Sequence, residues 1–204
     1  MGEEQAPGAT DAAYKITISL NFQNPNFTIP PGAHVTSVAG MIHSQDTSLW
    51  SLKNVATIGL ENVAETGNTV AMSIELDSII LRGKALSRFV LMPPPLVGST
   101  TFIEKFNSNF SCFSFASMLA PSPDWFMGVS SVNLYKEHQW VNELMMPILL
   151  FDAGTEDGDV FGYDNPATVP QMPISLLTPV NASVLANGNN VMIPIGTIHF
   201  VKIN

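Results

Sequence analysis

Tyr14-Lys15-Ile16-Thr17-Ile18-Ser19-Leu20 sets the fold class. Tyr14, Ile16, Ile18 and Leu20 are apolar, and Lys15, Thr17 and Ser19 between them are polar. A period of two turns one set of side chains to a core and the other to water, the pattern of a half-buried strand. Outward from it, residues 70–76, 78–81, 100–105, 110–119, 127–135, 141–150 and 191–203 also read as strands. Pro147 implies a bulge or an edge, because proline has no N–H for a ladder; Pro194 raises the same point in the last strand. Pro30-Pro31-Gly32 marks a turn, and Pro93-Pro94-Pro95 an extended connection. Residues 55–65 differ: Ala56, Leu60, Val63 and Ala64 follow a helical spacing, and Gly67 stands where a C-terminal glycine cap belongs. The expected fold is all-β, an antiparallel β-sandwich of roughly seven to nine strands with one short helix near residues 55–66.

Composition agrees with one folded domain. Of 204 residues, 46% are apolar and 12% charged, and disorder needs the opposite balance. Fourteen glycines and fifteen prolines suit a fold with many turns. The longest apolar run, residues 144–151, is interrupted by Pro147 and falls far short of the about 20 residues that span a bilayer. No internal repeat or composition break divides the chain, so residues 14–204 are expected to form a single domain after a flexible segment, 1–13. No secretory signal stands at the start, and the polar stretch from Met1 to Thr10 is expected to open a mature secreted chain.

The net charge is −9. No Lys or Arg occurs between Lys136 and Lys202, a stretch with seven carboxylates. Nucleic acid is thereby disfavoured as a partner, since phosphate binding relies on Lys and Arg, and attraction to anionic lipid is weakened. A cation remains compatible. Cys112 is the sole cysteine, so no internal disulfide forms, and its alternating surroundings mark it as a small core residue.

Several blocks carry a resemblance. They run from Tyr14-Lys15-Ile16-Thr17 through Ala33-His34, Gly40-Met41-Ile42-His43, Ser48-Leu49-Trp50 and Gly59-Leu60-Glu61-Asn62-Val63-Ala64-Glu65-Thr66-Gly67. The most specific are Ala120-Pro121-Ser122-Pro123-Asp124-Trp125-Phe126-Met127-Gly128-Val129 and Asp152-Ala153-Gly154-Thr155-Glu156-Asp157-Gly158. In this order, with Asp124 and Asp152 28 positions apart, they make the chain resemble the spondin domain over most of its length. The resemblance implies a sandwich related to C2 domains, calcium held by loops at one edge, and an adhesion or recognition role outside the cell. Where animal members carry a disulfide-forming cysteine, this chain has Tyr135, and it shows no adjoining thrombospondin repeat. It therefore looks like a bacterial or stand-alone member, placed in the periplasm or on the cell surface if bacterial, and both departures put animal integrin-type partnerships in doubt.

The residues fit a hard cation on their own chemistry. Calcium takes six to eight oxygens from carboxylates, carbonyls and water. Pro121 and Pro123 stiffen the loop bearing Asp124, and the small residues between Asp152 and Glu156 let the backbone curl. By the family match Asp124, Asp152 and the residue four after Asp152 are the metal ligands. Relatives usually have Asp at that last position; here it is Glu156, with Asp157 beside it as the alternative. Asp159 and Asp164 are poorer candidates. The competing reading makes these acids caps of backbone amides in turns.

Trp125 and Phe126 read as loop anchors in the core rather than as an exposed tip. His34 and His43, lacking a third ligand, read as buried hydrogen-bonded residues rather than a zinc pair. Asn26, Asn109 and Asn181 open glycosylation-type sequons. Neither a Gly-x-Ser-x-Gly elbow nor a phosphate loop nor a zinc-protease helix occurs. The expected function is thus a secreted, non-catalytic calcium-binding module for an extracellular protein or glycan. The alternatives are a calcium-dependent membrane-docking domain of C2 type and a glycan hydrolase using Asp124 and Asp152 as acid and base.

Overall fold

The computed structural model describes residues 10–25, 27–186 and 194–204. Strand β1 (Asp11–Asn21) takes the alternation literally: Tyr14, Ile16, Ile18 and Leu20 are buried, while Lys15 is exposed. It begins at Asp11, inside the stretch expected to be flexible; residues 1–9 of that stretch lie outside the described residues. Next come β2 (His34–Val35), β3 (Val38–His43), helices α1 (Ile58–Thr66) and α2 (Val70–Leu81), then β4 (Ala85–Leu91) and β5 (Val97–Asn107). The chain continues through β6 (Cys112–Ala120), β7 (Trp125–Asn133), the small hairpin of β8 (Tyr135–Lys136) and β9 (Gln139–Trp140), and β10 (Glu143–Asp152). It closes with β11 (Ser175–Leu176), a turn of helix α3 (Ser183–Ala186) and β12 (Gly196–Lys202).

The main path of the ten-stranded sheet is β4-β3-β6-β7-β10-β12-β1-β5, antiparallel at every step. It curls over one apolar core that includes Tyr14, Ile16, Phe113, Phe115, Trp125, Ile198 and Phe200. The expected antiparallel sandwich is therefore present. Phe89 of β4 and Phe102 of β5 lie 5.5 Å apart, so the two terminal strands of the path approach each other over the core.

A second apolar cluster lies on the outer side of the sheet. Leu60, Val63, Ala64, Met72 and Leu76 of the two helices join Met41, Ala116, Phe126 and Phe151 of the strands, with Trp50 among them. This cover explains why β3 and β6 are buried at every position. Helix α1 matches the expected helix, and Gly67 caps it in the left-handed conformation.

Residues 70–81, expected as strands, are instead helix α2. Val70, Met72, Ile74 and Leu76 alternate with Ala71, Ser73 and Glu75, which imitates a strand. The structure uses Met72 and Leu76, one helical turn apart, as the buried pair and leaves Val70 and Ile74 exposed. Tertiary contacts fix the helix: Glu75 accepts hydrogen bonds from the Gly59 amide and the Thr57 hydroxyl, both at 2.7 Å. A Cβ on Gly59 would stand 2.7 Å from the Met72 Cα, so glycine there lets the helices meet.

Pro147 behaves as the edge reading requires. Strand β10 pairs with β12 through Pro147 but with β7 only from Leu149 onward, so the proline faces no partner on the β7 side. Pro194 precedes β12 rather than interrupting it, and residues 191–193 of the expected last strand lie outside the described residues. His43 is buried, within 2.8 Å of the Ser114 hydroxyl and of the Ser44 carbonyl. His34 corrects the expectation of burial: it sits exposed on β2, because Val35 is the residue of that short strand turned inward. Cys112, Trp125 and Phe126 are buried as expected.

Candidate functional site

Asp124 and Asp152 meet because of strand order. Asp124 immediately precedes β7, Asp152 ends β10, and Trp125 pairs directly with Asp152 in the ladder. The two loops therefore leave the sheet at the same end. Gly154 turns the second loop with a left-handed backbone, and a Cβ there would collide with the Met172 carbonyl oxygen. The returning chain braces the loop: amides of Thr168 and Met172 donate to the carbonyls of Thr155 and Gly154, each at 2.8 Å. The Asp157 amide donates to the Pro166 carbonyl, also at 2.8 Å.

Asp124 is fully buried at the centre of this junction. Its Oδ2 accepts from the Thr155 amide at 2.6 Å, the Glu156 amide at 3.1 Å and the Thr155 hydroxyl at 3.2 Å. Turn capping thus accounts for Oδ2. It does not account for Oδ1, which is equally buried and has no hydrogen-bond partner among the described residues. A buried, unpaired carboxylate oxygen is costly, and burial holds the Asp124 carboxyl above its usual range despite its hydrogen bonds.

The neighbouring acids share the strain. Burial and then the charge of Asp124 push the Asp152 carboxyl up to about 6. Its Oδ1 accepts from the Gly154 amide at 2.8 Å. Glu156 is pushed up to about 7, by burial first and then by Glu65 and Asp124. Asp157 is exposed and accepts from the Thr168 hydroxyl at 2.6 Å. Asp152, Glu156 and Asp157 line a cleft of about 270 Å³. Asp159 and Asp164 are exposed and do not line it.

Glu65 was not among the residues singled out as ligands. It lies in the last turn of α1, hydrogen-bonded to the Thr155 side chain, and burial and the charges of Glu61 and Asp124 raise its carboxyl. Its sequence signal was the Glu61–Glu65 spacing of one helical turn; which loop that turn faces depends on tertiary packing. The ion pairs among the described residues, Lys84–Asp46, Arg88–Asp77 and His199–Glu143, all involve other residues. The donor chemistry and the bare Asp124 oxygen fit a hard cation. No three His, Cys, Asp or Glu side chains among the described residues are already gathered in metal-holding geometry.

Comparison with known proteins agrees with this frame. The sequence model of the Spondin_N family matches residues 12–187. Spondin-2 of Homo sapiens is 31% identical over 196 residues, which cover 91% of this chain and 58% of that protein. Spondin-2 of Rattus norvegicus is 28% identical over 193 residues, with the same coverage. Spondin-1 of Gallus gallus is 32% identical over 151 residues, 71% of this chain and 19% of that protein. The chain thus spans a little over half the length of the spondin-2 proteins it matches. The location outside the cell expected from the sequence accords with this family match. By the extent of the family match and the identity to its relatives, the chain belongs to the Spondin_N family.

Proposed function

We propose that the chain is a non-catalytic recognition module that binds an extracellular protein or glycan and carries one calcium ion at the Asp124–Asp152 end of its sandwich. Family membership supports the recognition role. The observation that carries the ion is Asp124 Oδ1, which is buried without a hydrogen-bond partner among the described residues and lies near carboxylates that none of their ion pairs with Lys or Arg involves. Asp124, Asp152 and Glu156 would hold the ion. Glu156 is preferred to Asp157, because the Asp124 charge acts on Glu156 while Asp157 is bonded to Thr168. Calcium would supply positive charge and a flexible oxygen shell; the protein's part is to fix two loops on one strand end.

The test is a thermal melt of chelated protein with and without millimolar calcium, with calorimetric titration beside it. A ligand that binds only the folded state at a hundredfold excess over Kd adds about 2.7 kcal/mol, a shift of several degrees for a domain of this size. Absence of both shift and heat refutes the ion. An array of extracellular proteins and glycans, probed with and without calcium, tests recognition; turnover of a glycan or ester that Asp152→Asn abolishes would move the chain to the enzymes.

A further inference from the structure

Helix α1 presses its acidic side against the acidic loop. Gln171 of the returning chain donates to Glu61 at 3.0 Å, and one turn later Glu65 shares the Thr155 side chain with Asp124. Leu60, Val63 and Ala64 of the helix share an apolar cluster with Ala153 of the loop, so the two surfaces are held together by burial. Glu65, Asp124 and Glu156 are thereby confined at one junction, and the ion pairs of the described residues lie elsewhere. The bare Oδ1 of Asp124 at the same junction is an independent sign that a positive partner belongs there.

We propose that Glu65 is a further ligand of the cation, joining Asp124 and Glu156, so that the bound ion clamps the α1–α2 hairpin onto the 152–157 loop. The proposal rests on the calcium reading above and extends it from the two loops to the helical layer. Without the ion the junction is held only by apolar burial and a few hydrogen bonds, against repulsion. With it, the same carboxylates become the strongest link between helix and sandwich, and α1 gains protection from local opening.

The test compares the full chain, Glu65→Gln and Asp152→Asn by calcium calorimetry, by melting in chelator, and by amide hydrogen exchange of α1. Glu65→Gln is expected to melt higher than the unmodified protein in chelator, because a half-buried repelling charge is gone. It is also expected to bind calcium roughly tenfold more weakly or worse, the scale of loss when a metal site is stripped of a partner. A purely structural Glu65 would instead lower the chelated melt. Calcium should slow exchange in α1 of the unmodified protein and not in Glu65→Gln. If Glu65→Gln binds calcium undiminished while Asp152→Asn does not, the clamp is refuted and the loop site stands. If the unmodified protein takes up no calcium, both are refuted.

Discussion

The Thr155 amide lies 2.6 Å from Oδ2 of Asp124, so one oxygen of that carboxylate holds the loop that carries the other acids while its second oxygen stays bare. The same residue is therefore both a turn cap and a carboxyl with one unsatisfied oxygen among the described residues, and variants can separate the two roles.

Asp152→Asn keeps the side-chain shape and the acceptor for the Gly154 amide but removes one charge. It should melt no lower than the unmodified protein in chelator and lose most of the calcium-induced shift. Magnesium should produce little shift in either protein, since it demands a tighter octahedral shell. An equal magnesium response would mean that the acids merely attract counterions.

Asp152 and Glu156 bind protons more tightly folded than unfolded: their ordinary values of 3.8 and 4.5 become about 6 and about 7. For such groups the charged form is penalised in the fold, so stability is highest below the unfolded values and is lost as pH rises through the folded ones. In chelator, these groups should make the protein less stable at about pH 8 than at about pH 5. His43, whose value burial lowers, opposes this only at the acid end. The double change Asp152→Asn with Glu156→Gln should flatten the slope, and so should saturating calcium. A slope unchanged in the double variant would place the titration elsewhere.

Gly59→Ala forces a methyl group toward the Met72 Cα and the Glu75 carboxylate. The expected loss is about 1–3 kcal/mol, the usual cost of overpacking, read as a lower denaturant midpoint. Helix α2 is not legible in its own stretch of sequence. Its alternation of apolar residues fits a strand, and only Glu75 reaching back to Thr57 and Gly59 reveals the helix. Strand β1 was legible because one of its faces meets solvent. Strand β3 was not, since helices and core bury both of its faces and erase any alternation. The Asp124 and Asp152 loops were legible through two long sequence blocks, whereas Glu65 reaches them through helix docking, which no local pattern records.

Two tryptophans give opposite expectations. Trp50 Nε1 donates to the Phe115 carbonyl at 3.1 Å, while the Trp125 indole N–H is buried without a partner among the described residues. Trp50→Phe strips a buried acceptor of its donor and should cost more than Trp125→Phe, which also removes an unsatisfied donor; the difference should be about 1 kcal/mol. Chemical denaturation of both variants ranks them, and a costlier Trp125→Phe would show that its indole has a solvent partner.

Strand β12 lies between β1 and β10, pairing with both. A growing chain therefore completes nearly all of its core-forming segments before it makes the strand that joins the first to the tenth. Until then β1 has only β5 beside it, and β10 has an open flank, so two apolar edges wait for one partner. Such long-range closure is slow to form, and a product cut short near Ile195 would expose both edges at once. This sheet cannot close before β12 has been made, and the interval before that is when the chain most needs shelter from its neighbours.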